Sequence, residues 1–82
     1  MHKFRITVLR IDPVERKEVP TKPFDIYAKS FNDAFIYLAN NIFPSPKYKI
    51  ENNELIFVER NIREFYVSKN LERYHVYIKR LY

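Results

Sequence analysis

Apolar and polar residues alternate at both ends of this chain and recur at helical spacing in its middle. In FRITV, Phe4, Ile6 and Val8 fall on one side of an extended backbone, with Lys3, Arg5 and Thr7 on the other. That period of two predicts a half-buried strand. FDIYA repeats it, with Phe24, Ile26 and Ala28 on one face and Asp25 and Tyr27 on the other. Between them, DPVERKEVPTKP (residues 12–23) is a polar connection. Pro20 and Pro23 cannot donate to a ladder, so any strand there lies at an edge or begins after Pro23.

The period changes in SFNDAFIYLANNIF. Phe31, Ala34, Phe35, Leu38, Ala39 and Ile42 form one continuous stripe, which predicts an amphipathic helix over residues 31–43. Ser30 suits the N-cap, and Asp33 places negative charge at the positive end of the helix dipole. Asn40 and Asn41 weaken the last turn, and Pro44 stops it.

Beyond the helix, KYKIENNELIFVE predicts a hairpin turning at Asn52-Asn53, with left-handed Asn in place of the usual Asn-Gly. Its second arm, Leu55–Val58, is apolar on both faces, the pattern of a central or doubly covered strand. NIREFYVSKN reads two ways. Asn61 and Glu64 have the spacing of an N-cap and its N3 partner, whereas Phe-Tyr-Val favours a strand, the preferred reading. The closing RYHVYIKRLY is a strand by its Tyr-Val-Tyr-Ile content, although Leu71, Tyr74, Ile78 and Leu81 would also seam a helix. The sum is an α+β fold in the order β-β-α-β-β-β: an antiparallel sheet with one amphipathic helix packed on one face. A single helix leaves the other face solvated or bound to something.

Composition narrows the chemistry. A chain of 82 residues is expected to form one domain, residues 1–82, and its 46% hydrophobic content with seven Phe and seven Tyr argues against disorder. There is no cysteine, which excludes disulfides, thiolate metal sites and a Cys nucleophile. Glycine is also absent, which excludes Gly-rich phosphate loops, the dinucleotide fingerprint and the nucleophile elbow. Left-handed turn positions then fall to Asn. No apolar run approaches the ~20 residues that span a bilayer, and Lys3, Arg5 and Arg10 interrupt what a secretion signal would keep apolar. The expectation is a cytoplasmic protein without membrane association. Heavy use of Asn, Ile, Lys and Tyr fits an AT-rich genome, such as that of a phage or mobile element.

Net charge is +5, and it is concentrated at the two ends. Residues 1–24 carry six bases and three acids, and residues 60–82 carry six and two. His2 and His75 are the only histidines, and no spacing of His and carboxylates suggests a metal site or a nucleophilic triad. Glu15/Glu18 and Glu51/Glu54 fall in the predicted loop and turn, where solvated charge is expected. We therefore expect a non-enzymatic protein without cofactor, metal or small-molecule ligand, in which His75 is structural.

Nucleic-acid binding is the first functional expectation. The outward side of the last strand interleaves Arg73, His75, Tyr77 and Lys79. Lys3 and Arg5 on the first strand extend it, and Tyr27 adds a ring. Cations for phosphates beside aromatic faces for bases are what sequence-tolerant binders combine. The alternative is a protein interface or self-association through Tyr27, Tyr77 and Leu9, as in an accessory or inhibitor protein, since Tyr and Arg also dominate interface hot spots. The basic ends pool only if the first and last strands are neighbours, which periodicity does not determine.

Overall fold

Alternation carries the first strand further than FRITV: β1 runs His2–Ile11 in the computed structural model, which describes residues Met1–Tyr82. Six more strands and one helix follow: β2 (Glu18–Pro20), β3 (Phe24–Ala28), α1 (Phe31–Asn41), β4 (Lys49–Ile50), β5 (Ile56–Glu59), β6 (Ile62–Lys69) and β7 (Glu72–Arg80). All the strand pairings are antiparallel, in a single sheet. The α+β expectation of an antiparallel sheet with one helix holds, but the order β-β-α-β-β-β needs correction. There are three strands before the helix and four after it, because the short edge strands β2 and β4 lie in segments too brief to show a period.

Three long strands form the middle of the sheet, in the order β1-β7-β6. Each outer edge is then shared by two short strands. Along β1, β3 pairs with His2–Ile6 and β2 with Leu9–Ile11. Along β6, β5 pairs with Ile62–Glu64 and β4 with Val67–Ser68. The first and last strands are therefore neighbours, in register from Phe4↔Arg80 to Ile11↔Arg73.

Two further expectations need correction. Lys49–Ile50 and Ile56–Glu59 do not pair with each other as a hairpin; they lie in succession along the same edge of β6. The reason is at the turn: Asn52 (φ 58°) and Asn53 (φ 46°) are left-handed, as anticipated, but sit in a 3-10 turn at Glu51–Asn53 that carries the chain onward. Nor is β5 a covered central strand. It is an edge, and Phe57 remains 66% exposed. The helical alternatives for residues 61–70 and 71–82 give way to a β6–β7 hairpin closed at Lys69↔Glu72, with Asn70 at φ 54° where a glycine would ordinarily stand.

The helix forms where its stripe and cap place it. The Ser30 hydroxyl accepts from the Asp33 N–H at 3.1 Å, and the helix ends at Asn41, just before the expected boundary. Ala34 and Leu38 are fully buried against Phe4, Ile6, Phe65, Val67, Val76 and Ile78 of the three long strands. Edge-to-face contacts of Phe35 and Phe43 with Phe65 fix the packing. All these strand residues share one register, so the helix claims one face of the sheet and leaves the other uncovered. The helix is not long and apolar enough to cross a membrane.

Candidate binding face of the sheet

The open face collects the residues of opposite register. Cross-strand pairing sets Tyr27 beside Lys3, Asp25 beside Arg5, Arg5 beside Lys79, Thr7 beside Tyr77 and Leu9 beside His75. On the other side of β7, Tyr66 lies opposite His75, Glu64 opposite Tyr77 and Ser68 opposite Arg73. All seven residues singled out in the sequence thus lie on one face. The strand adjacency that periodicity left open brings the two basic ends together.

Their charges do not stay free, however. The Arg5 guanidinium donates to both Asp25 oxygens, at 3.0 and 3.3 Å, and Lys3 lies 3.5 Å from the same carboxylate. This pairing, the Arg5 hydrogen bonds foremost, holds the Asp25 carboxyl below its ordinary range. Arg73 forms a bidentate pair with Glu51 at 2.7 and 3.0 Å. His75 is held from both sides: Nδ1 is 2.7 Å from a Glu18 oxygen, and Nε2 contacts a Glu64 oxygen. Lys79 alone among the predicted cations has no carboxylate within ion-pair distance.

An aromatic stack runs through these pairs. The Tyr66 and His75 rings are parallel at 4.4 Å between centroids, and Tyr77 leans on the other neighbour position of His75 at 4.2 Å. The Arg73 guanidinium sits 4.5 Å from the Tyr66 ring. In sequence along the face the stack is Arg73, Tyr66, His75, Tyr77. Burial, reinforced by the Glu18 and Glu64 charges, pushes the Tyr66 and Tyr77 hydroxyls above their usual value. His75 itself is only 5% exposed although no helix covers it. Its burial comes from the flanking Tyr rings and the two carboxylates.

The carboxylates are what the sequence reading missed. Glu18 and Glu51 were expected to be solvated charge. Instead Glu18 stands on β2 against His75, and Glu51 opens the 3-10 turn against Arg73. The only signal for them was the proximity of Pro20, which marks an edge strand, and no local pattern ties residue 18 to residue 75. Glu15, by contrast, makes only an exposed contact to Lys17 at 3.7 Å.

Both nitrogens of His75 are engaged by carboxylates, so neither is turned towards a nucleophile. No group of three or more His, Asp and Glu side chains is placed to hold a metal ion. The one cleft, about 640 Å³, lies elsewhere, between the end of the helix and β4, lined by Asn40, Phe43, Pro46, Tyr48 and Asn53 among others. It contains none of the predicted site residues.

No protein-family model, curated protein or solved structure matches this chain.

Proposed function

We propose that the protein is a non-enzymatic binding module whose open sheet face docks a protein partner. The observation that carries this reading is the engagement of the face's polar groups by carboxylates: Arg5 and Lys3 with Asp25, Arg73 with Glu51, and the two His75 ring nitrogens with Glu18 and Glu64. A phosphate backbone arriving at this face meets four carboxylates and gains little from cations already neutralised. A protein surface with its own mixture of polar groups and rings meets an aromatic, nearly balanced patch of the kind that forms interface centres. The size is also suitable. Five strand positions at ~4.8 Å by about eight residues at ~3.3 Å give roughly 600 Å², near the ~800 Å² per partner of a standard interface.

The nucleic-acid reading keeps one observation in its favour. Arg5 and Lys79 are directly opposed on neighbouring strands, and Lys79 has no acid of its own. Two measurements separate the readings. The first places a photo-crosslinking phenylalanine analogue at Tyr27 or Lys79, in cells of the native host, with Asn32 on the helix as control. A discrete protein adduct from the sheet positions and none from the helix is the expected result. The second titrates single- and double-stranded DNA and RNA at ~50 mM salt, where phosphate binding is strongest. Binding that falls steeply with salt and is lost in Lys79→Ala would overturn the protein reading.

A further inference from the structure

Two arginines without a carboxylate partner meet at the end of the sheet beside the start of the helix. Arg63 on β6 lies opposite Ile78, and Arg80 on β7 lies opposite Phe4. Both are therefore in the register of the covered face, at its rim. The Arg63 guanidinium is 4.2 Å from the Phe31 ring and 4.7 Å from the Phe57 ring. The Arg80 guanidinium is 5.6 Å from the same Phe31 ring. Two like charges thus share one aromatic side chain, and neither has a carboxylate within ion-pair distance. Asp33 in the first helical turn and Glu59 at the end of β5, the nearest acids on those adjoining elements, pair with neither.

Both forks are held in place by the turn between β5 and β6. Arg63 Nη1 donates to the Glu59 carbonyl at 2.8 Å and the Ile62 carbonyl at 3.2 Å. Arg80 Nη2 donates to Asn61 Oδ1 at 3.0 Å, while the Arg80 and Asn61 backbones bond at 2.8 Å. One nitrogen of each guanidinium is committed, and Nε and the second Nη of each make no hydrogen bond within the protein. A guanidinium carries five N–H donors in a rigid fork, so the greater part of both forks is unspent. Arg63 and Arg80 are diagonal neighbours on adjacent strands, two residues apart in register, and lie 4.2 and 5.6 Å from the Phe31 ring. Two forks without an acid raise the local potential and favour an anion that accepts from both.

We propose that Arg63 and Arg80, braced by Phe31, Phe57 and Asn61, form a phosphate-binding site. A phosphate dianion matches the two formal charges, and its separate oxygens can accept from two guanidinium groups at ~2.8 Å each, whereas a carboxylate brings one charge in one plane. The site lies on the opposite register from the sheet face discussed above and stands independently of its partner. The charge match favours a phosphate monoester, since a nucleic-acid backbone diester offers the same oxygens with one charge, and the experiment distinguishes these sources.

The test follows the arginine Nε–H resonances of the folded protein by NMR during titration with inorganic phosphate, phosphoserine, acetate and an oligothymidylate, at constant ionic strength. Saturable shifts at Arg63 and Arg80 with phosphate, at least tenfold weaker with acetate, are expected. A monoester source predicts that phosphoserine matches or exceeds phosphate while the oligonucleotide does not; a backbone source predicts the reverse. Arg80→Gln, which leaves the buried core untouched, should weaken phosphate binding tenfold or more. Arg63→Lys should do so too, by retaining charge but losing the fork. Non-saturating shifts, equal response to acetate, or unchanged binding in Arg80→Gln with its fold intact would overturn the proposal.

Discussion

Two adjacent residues on opposite sides of β7, Val76 and His75, are buried to nearly the same degree by different means. Val76 and Ile78 are fully buried beneath the helix, in contact with a cluster of apolar side chains. His75 immediately precedes Val76 in sequence, faces the side without a helix, and is shielded by Tyr66, Tyr77 and two carboxylates. Burial on the first side comes from non-directional packing, and on the second from directional pairing. The lesson is that an uncovered sheet face can bury a residue at its centre while Arg73, Lys79 and Tyr27 around it stay exposed.

The largest break in this comparison is expected on the packed side. Phe65 is fully buried and meets Phe35 and Phe43 edge-on, at 4.9 and 6.0 Å between centroids. Phe65→Ala should cost ~3–5 kcal/mol, against the ~5–15 kcal/mol total of a small domain. Urea denaturation measures it directly. A loss under ~1 kcal/mol would mean that this core is far looser than the contacts indicate.

His75→Ala should come next. It removes the shared partner of Glu18 and Glu64 and leaves two carboxylates facing each other across a vacated ring position. Glu18 and Glu64 side chains retain 43% and 20% exposure, so solvent takes up part of the penalty. We expect roughly 2–3 kcal/mol, below the full cost of breaking a buried pair. Adding Glu64→Gln should recover part of the loss, because one of the opposed charges is then gone. An additive double mutant would show that His75 acts by ring packing alone.

How far these features were legible in the sequence differs between the two sides for the same reason. The packed side depends on local periodicity, so the stripe from Phe31 to Leu38 and the alternation at Phe4, Ile6 and Val8 were readable directly. Ser30 with Asp33 located the start of the helix, and the left-handed turns at Asn52, Asn53 and Asn70 follow from the absence of glycine. Arg16, at φ 57°, has no such signal. The open side depends on which strands are neighbours, and no period encodes that. Glu18 meets His75 across 57 positions and Glu51 meets Arg73 across 22. The same gap hid the separation of β4 from β5, since each can pair with the long β6 as readily as with the other.

A smaller effect tests whether the pairs on the open face are worth anything singly. Arg73 and Glu51 make a bidentate contact, but their side chains are 50% and 30% exposed. A double-mutant cycle with Arg73→Ala and Glu51→Ala should yield a coupling of about 0.5–1 kcal/mol, the upper part of the range for exposed pairs. Lys17 and Glu15, at 3.7 Å and still more exposed, should show no measurable coupling.

The smallest effect is a pH dependence. Asp25 has its carboxyl lowered by the hydrogen bonds from Arg5 first, and Asp12 has its own lowered by the N–H groups of Glu15 and Val14. A carboxyl whose folded pKa is below its unfolded value binds fewer protons in the folded state, so its contribution is complete above the unfolded value of ~3.9 and is lost as pH falls through the folded one. Stability should therefore decline from about pH 5 towards pH 2. Arg5→Gln removes the main cause at Asp25 and leaves Asp12 unchanged. Its carboxyl titration, followed by NMR, should move Asp25 upward towards the ordinary value, while Asp12 stays where it is. The variant's acid loss should be shallower than that of the parent. If Asp25 does not move, Lys3 alone holds its charge, and the pairing of the two basic ends at this edge of the sheet rests on one lysine rather than on the arginine fork.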